Sequence, residues 1–321
     1  IGLVLPMSVL ATRDVGPVRV AVERFGALDV FWWAEEPMFD AAVRTCIVGL
    51  VMGDRHRRPV RRFVGPAFEA VPPVSLPPAD GARSRADTWS WLVADVAGVP
   101  RLEELVEAGR LGDLAVVTAD FRDQYYGLIG AVSDEGDGPW LVTSGLIDAG
   151  RCRWGDRPVR FAKQRYGAPR VDVDSLTPKL QAWAARRLVP KVLVASQTKA
   201  IEAVVDERGE WLPSVPVISL VPHAIDDLWR IAAVLTSPVA SAWLAHRRMG
   251  SGLSAAAVRV SASDLAQIPL PTHGDPWVRA TVALRGGDVA ACGRAMGEAY
   301  GLAHRADLFE WWEQLLGLDP P

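Results

Sequence analysis

Lysine is scarce in this chain of 321 residues: there are four, against 31 arginines. Cysteine is scarcer still, and Cys46, Cys152 and Cys292 are far apart and odd in number. No CxxC pair and no Cys/His cluster occurs, which argues against a zinc module or a disulfide scaffold and for a reducing, cytoplasmic setting. His223, His246 and His273 are too scattered for a metal site or a catalytic triad. The longest apolar runs, 45–52 and 188–196, are too short to cross a bilayer, so no membrane partner is expected. The 24 prolines and 28 glycines are spread through turns, with no repeat or low-complexity tract.

What lysine there is falls in one place. Lys163, Lys179, Lys191 and Lys199 all lie within 37 residues. From Arg151 to Lys199 there are twelve basic residues against Asp156, Asp172 and Asp174, a local balance of +9 in a chain whose net charge is −3. Trp154, Phe161, Tyr166 and Trp183 are interleaved, the pattern of a nucleic-acid surface. A solvated arginine-rich surface is the alternative on charge alone. A second basic run, RHRRPVRR at 55–62, suits either a solvated sheet edge or a phosphate backbone.

The hydrophobic patterning gives the organisation. GLVLP closes an apolar run of the kind found in a strand buried on both faces of a parallel sheet. A helix is expected over 16–25, strands over 28–33 and 45–53, and no regular structure in the Pro-rich stretch from 65 to 81. A short helix is expected in WSWLVADVAG, a hairpin at 136–145, and strands at 114–118, 127–132, 139–143 and 190–195. Helices return at 225–246 and 262–267, and one or two close the chain. The expected domains are 1–65, a linker with short helices at 66–110, 111–271, and 272–321.

In this order the motifs resemble adenine-N6 DNA methyltransferases of restriction-modification systems. IGLVLPMSVL, with Gly2, Pro6 and Ser8, is similar to the strand that follows their catalytic motif. LDVFWWAEEPMFDAAVRTCIVGLVM is similar to the last two strands of their catalytic domain, with Phe39 at the aromatic loop position and Thr45 opening the second strand. VPKVLVASQTKAIEAVVDERGEWLPSVPVISLVP, the LTSP helix and IPLP are similar to their target recognition domains. The resemblance covers about residues 1–55 and 140–271. It implies an α/β fragment of a Rossmann-like methyltransferase sheet followed by an α+β target recognition domain and a helical tail.

The same resemblance implies S-adenosylmethionine as cofactor and double-stranded DNA as partner. The family's glycine-rich cofactor loop and its Asn/Asp-Pro-Pro-aromatic motif are not found here, so an N-terminal catalytic portion, on the same gene or a split subunit, is expected to supply them. The chain alone is expected neither to methylate DNA nor to hold the cofactor. Phe39 is implied as the ring that stacks on an extruded adenine. Lys163, Arg165, Lys191 and Lys199 are the candidate phosphate contacts, and Ser196, Gln197 and Thr198, directly after an apolar strand, the candidate base-edge readers. Gln197 has the bidentate amide suited to adenine. Two other readings stay open: a non-enzymatic DNA-binding specificity module, and an unrelated α/β enzyme with a basic loop.

Overall fold

The first apolar run forms strand β1 (Gly2–Pro6). It is followed by helix α1 (Gly16–Phe25), which has a proline in its first turn, and by β2 (Gly26–Trp33), β3 (Thr45–Met52), β4 (Val60–Val64) and β5 (Glu69–Val74). These elements belong to a computed structural model that describes residues 1–34, 36, 43–53, 58–75, 88–102, 105, 107–251 and 258–318. The described chain is a mixed α/β fold with several separate sheets. It divides into two compact units, residues 1–101 with 244–259, and residues 102–243 with 260–321.

In the first unit the five strands make one sheet in the order β1-β3-β2-β4-β5. Strand β3 is antiparallel to both β1 and β2, so β1 and β2 run parallel to each other with β3 between them. The two strands expected at 28–33 and 45–53 are thus present and paired antiparallel. The expectation for β1 itself needs correcting. Its neighbour is antiparallel and Val4 is 63% exposed, so it is not buried on both faces of a parallel sheet.

The Pro-rich stretch also departs from expectation, because Glu69–Val74 is a strand that includes Pro72 and Pro73. It lies at the sheet edge, and Pro72 and Pro73 fall at a break in the register with β4, between the Val60–Val74 and Arg62–Val71 pairs, where no ladder bond is lost. The basic run beside it is partly internal. Arg62 is buried, donates to Asp95 at 2.5 and 3.0 Å and to Leu92 O at 2.8 Å, and takes Pro72 O as a further acceptor. Burial would raise the Asp95 carboxyl, but the Arg62 hydrogen bonds outweigh it and hold it below the usual carboxylate range. Arg61 is exposed and paired with Asp29. WSWLVADVAG is a single 3₁₀ turn, Ser90–Leu92, followed by turns.

The second unit opens on β6 (Ala115–Ala119), α2 (Arg122–Gly127), β7 (Val132–Ser133) and β8 (Trp140–Val142). The strand expected at 127–132 is thus reduced to Val132–Ser133. Residues 122–127 turn helical where the Gln124 side chain accepts the Phe121 N–H. Next come β9 (Val159–Phe161), β10 (Gln164–Tyr166), β11 (Arg170–Val171), α3 (Pro178–Arg187), β12 (Lys191–Val194), β13 (Ala203–Asp206), β14 (Trp211–Pro213) and β15 (Ile218–Pro222).

One four-stranded sheet has the order β14-β8-β11-β7 and another the order β13-β12-β15-β6. Residues 136–145 are not a hairpin, since β8 pairs in parallel with β14 and antiparallel with β11.

The long helix expected at 225–246 is broken. Helix α4 (Leu228–Leu235) ends at Thr236, and α5 (Pro238–Arg248) restarts on a proline, with Ser237 Oγ accepting the Ala240 N–H. The chain continues through α6 (Ala262–Ala266), α7 (Asp275–Arg285), α8 (Val289–Ala299) and α9 (Ala306–Leu316). No single helix among the described residues is long and apolar enough to cross a membrane.

Candidate functional site

The twelve basic residues of 151–199 are all described, and partners sort them. Six are held by carboxylates: Arg151 by Asp156, Arg153 and Arg157 by Asp148, Lys179 by Asp123, Arg187 by Asp120 and Lys191 by Asp206. The others have no carboxylate partner among the described residues. Three of these, Arg160, Lys163 and Arg165, lie on the single hairpin β9–β10 and are exposed.

That hairpin follows from its sequence. Val159 and Phe161 are buried, so the intervening Arg160 points to the other face. Arg160 pairs directly opposite Arg165 in the antiparallel register. The two-residue turn, Ala162 and Lys163, has φ of 47° and 69°. Both values fall in the left-handed region that a tight hairpin turn of this hand requires, and which Asn-Gly normally supplies.

The inner face is anchored: Phe161 sits in a core cluster with Leu128, Leu141, Val171 and Trp183, and the Ala162 N–H donates to Tyr125 Oη at 3.1 Å. Trp154, packed against the cluster that holds Val159, stacks on Trp140 at 4.1 Å with Trp140 stacked on Trp211, and the Arg170 guanidinium lies 4.8 Å from the Trp154 ring. The aromatics that looked interleaved with charge are thus mostly scaffold, and Phe161 and Trp183 are buried.

Lys191 corrects the expectation most sharply. It is fully buried, and its Nζ is bound to the Asp206 carboxylate and to Val189 O, so it does not reach a phosphate. Burial pulls its ammonium below the usual lysine value against the pull of Asp206. The same carboxylate accepts N–H groups of Gly209, Glu210 and Trp211 at 2.9, 3.0 and 2.9 Å. Gly209 is required there: its φ is +73° and a Cβ would lie 2.6 Å from the Val189 backbone.

The segment joining β12 to β13 alternates. Ser196 and Thr198 are buried, with Ser196 O accepting the Val260 N–H and Thr198 Oγ1 donating to Ala200 O. Gln197 and Lys199 are exposed. Of the proposed base-edge readers, only Gln197 presents its side chain to solvent. Phe39 lies outside the described residues.

Sequence reasoning missed Arg160, although strict alternation in VRF was the available signal. It also passed over Glu202, which is half-buried at the end of the same segment. Burial first, then the charge of Asp148, push the Glu202 carboxyl up to about 7, against the Thr198 hydrogen bond and Arg157. Asp148 itself is held below its usual range, because hydrogen bonds from Arg153 and Arg157 outweigh the raising effect of its burial. Among the described residues no group of three His, Cys, Asp or Glu side chains is arranged to hold a metal.

No protein-family model matches the chain, and comparison with curated proteins finds no match. Among solved structures it is similar to the type IIL restriction-modification enzyme MmeI, solved in complex with DNA, at a TM-score of 0.43 and 12% identity over 100% of this chain. It is also similar to the type IIG restriction endonuclease BpuSI, at a TM-score of 0.42 and 10% identity over 99% of this chain. The chain spans 47% of the length of each of those two chains.

Proposed function

We propose that this chain supplies DNA target recognition to an S-adenosylmethionine-dependent adenine-N6 DNA methyltransferase of the restriction-modification type. On this reading the first unit contributes the closing strands of the catalytic sheet and the second unit holds the duplex. The observation that carries it is the strand order β1-β3-β2, with an antiparallel strand lodged between two parallel ones. The motif resemblance called for those three segments in one sheet. The edge of β1 that has no strand beside it among the described residues leaves room for the rest of that sheet. Exposed Ile1 and Val4 add apolar surface there.

This reading assigns the cofactor to the catalytic portion, because the family's glycine-rich loop is not found in this sequence. Open α/β sheets bind ligands at the carboxyl ends of parallel strands where the strand order reverses. The paired side of β1 faces an antiparallel strand. Its carboxyl end runs directly into a 3₁₀ turn at Met7–Leu10, which the buried Arg19 closes by donating to Val9 O and Thr12 O. On this reading cofactor binding and methyl transfer belong to the catalytic portion that this chain would complete.

What the chain's own residues do is recognition. Methylating adenine N6 requires the base to leave the stack, at a cost of a few kcal/mol. Phosphate contacts fix the register of the protein on the duplex, and base-edge contacts read sequence. This reading gives the second role to the exposed Gln197 and the first to the exposed Lys199, two residues on. Phe39 retains the role of stacking on the extruded base. The test is selection from a random-sequence duplex pool, followed by sequencing. The reading expects enrichment of one short motif containing adenine. Recovery of a pool indistinguishable from the input would contradict it.

A further inference from the structure

We propose that the β9–β10 hairpin is a preformed cationic prong that docks as a two-stranded ribbon against the major groove of duplex DNA, with Arg160, Lys163 and Arg165 on backbone phosphates. This deepens the proposed function and rests on it.

Three independent features of the hairpin point the same way. The first is unbalanced charge. Three cations fall within six residues, all exposed and without a carboxylate partner among the described residues, whereas six other cations of the same segment are paired. The second is repulsion. Arg160 and Arg165 are directly opposite in the register, which puts their Cβ atoms about 5 Å apart on one face, and like charges so placed are destabilising. The third is backbone strain. Ala162 and Lys163 both adopt positive φ without being Gly, Asn or Asp. For an L-residue this conformation is strained, because Cβ crowds the carbonyl oxygen. Strain kept in a rigid setting is a mark of a site at which geometry matters.

The setting is rigid. Phe161 is in the core, Tyr125 Oη accepts the Ala162 N–H in the turn, and Val159 at the base belongs to a core cluster against which Trp154 packs. A flexible loop would let the arginines separate, but this one holds them together. A polyanion relieves the repulsion, because each phosphate neutralised releases condensed counterions. The major groove, about 12 Å wide, admits a two-stranded ribbon.

The test is fluorescence anisotropy of the full chain on a random-sequence duplex, at salt from about 50 to 200 mM. The slope of log K against log salt should shrink by about 0.9 for each phosphate that is no longer neutralised. Arg160→Ala, Lys163→Ala and Arg165→Ala each take one such step, and the triple variant takes close to three. The loss of affinity should be the same on every duplex sequence. Lys179→Ala, which removes an exposed but carboxylate-paired cation, should leave the slope unchanged. Arg160→Lys with Arg165→Lys keeps both charges and should keep the slope, which separates loss of charge from loss of folding. If the unaltered chain fails to bind duplex DNA at low salt, the proposed function falls. If it binds and the triple variant retains its slope, the hairpin proposal is overturned while the proposed function stands. Tighter binding to the single strand than to the duplex also overturns the groove assignment.

Discussion

Lys191 and Lys163 belong to the same basic segment, yet one is fully buried in an ion pair and the other stands at an exposed hairpin tip with no carboxylate partner among the described residues. The sequence-level charge of the segment counts them equally. The fold does not. Strand β12 has to lie inside a sheet between β13 and β15, so its lysine goes inward and is neutralised by Asp206 from the neighbouring strand. The β9–β10 hairpin has one apolar face and one free face, so its cations go outward. A local excess of basic residues marks a binding surface only after the paired ones are removed, and here that reduces twelve to six.

The comparison breaks first at Asp206. Replacing it with Ala leaves the Lys191 charge buried and frees three backbone N–H groups of the following turn. Removing one partner of a buried pair costs about 3–5 kcal/mol. Urea unfolding should show that loss, and Lys191→Met with Asp206→Leu should recover part of it. A loss below about 1 kcal/mol would mean that the pair is not buried in solution.

The next largest effect is expected at Gln197. A bidentate base contact is worth roughly 1–3 kcal/mol of discrimination. Gln197→Ala should therefore lower the affinity ratio between a selected duplex and a scrambled one, and leave the salt slope alone. Equal ratios for the variant and the parent would make Gln197 an ordinary exposed strand residue.

Glu202 gives a dependence on pH. Its folded value of about 7 lies above the ordinary carboxylate value of 4.5. Between those two values the folded state binds the extra proton, so stability falls as pH rises through the window and is level above it. Glu202→Gln removes the penalty, and its stability relative to the parent should grow from pH 4.5 to 7. A difference that stays constant across that range would place the carboxyl in solvent.

The smallest effect sharpens the comparison from the other side. Arg160→Ala should change stability by no more than about 0.5 kcal/mol, or raise it slightly as the cross-strand repulsion is lifted. A clear loss of stability in thermal unfolding would mean that Arg160 is a structural residue like Lys191.

Part of this was legible in the sequence. Strands 2–6, 28–33 and 45–53 carry continuous apolar runs, and these survive any environment. The hairpin was not legible, because its strands have three residues each and Ala-Lys is an unusual turn pair. The strand through Pro72 and Pro73 was hidden because proline is tolerated at a break in the ladder of an edge strand, and the residue order does not show where the ladder breaks. The Lys191–Asp206 pair depends on which strands become neighbours, and residue spacing does not encode that. Alternation did hold in 196–199, where it correctly implies that only every second side chain is available.

The lysines themselves allow the most direct measurement. Acetylation of the folded chain by an amine-reactive reagent, with and without duplex DNA, can be read at all four positions by mass spectrometry. The account predicts that Lys163 and Lys199 react in the free chain and are protected by duplex. Lys179 should react in both conditions, and Lys191 in neither. Modification of Lys163 to the same extent with and without duplex, or ready modification of Lys191 in the folded chain, would contradict it.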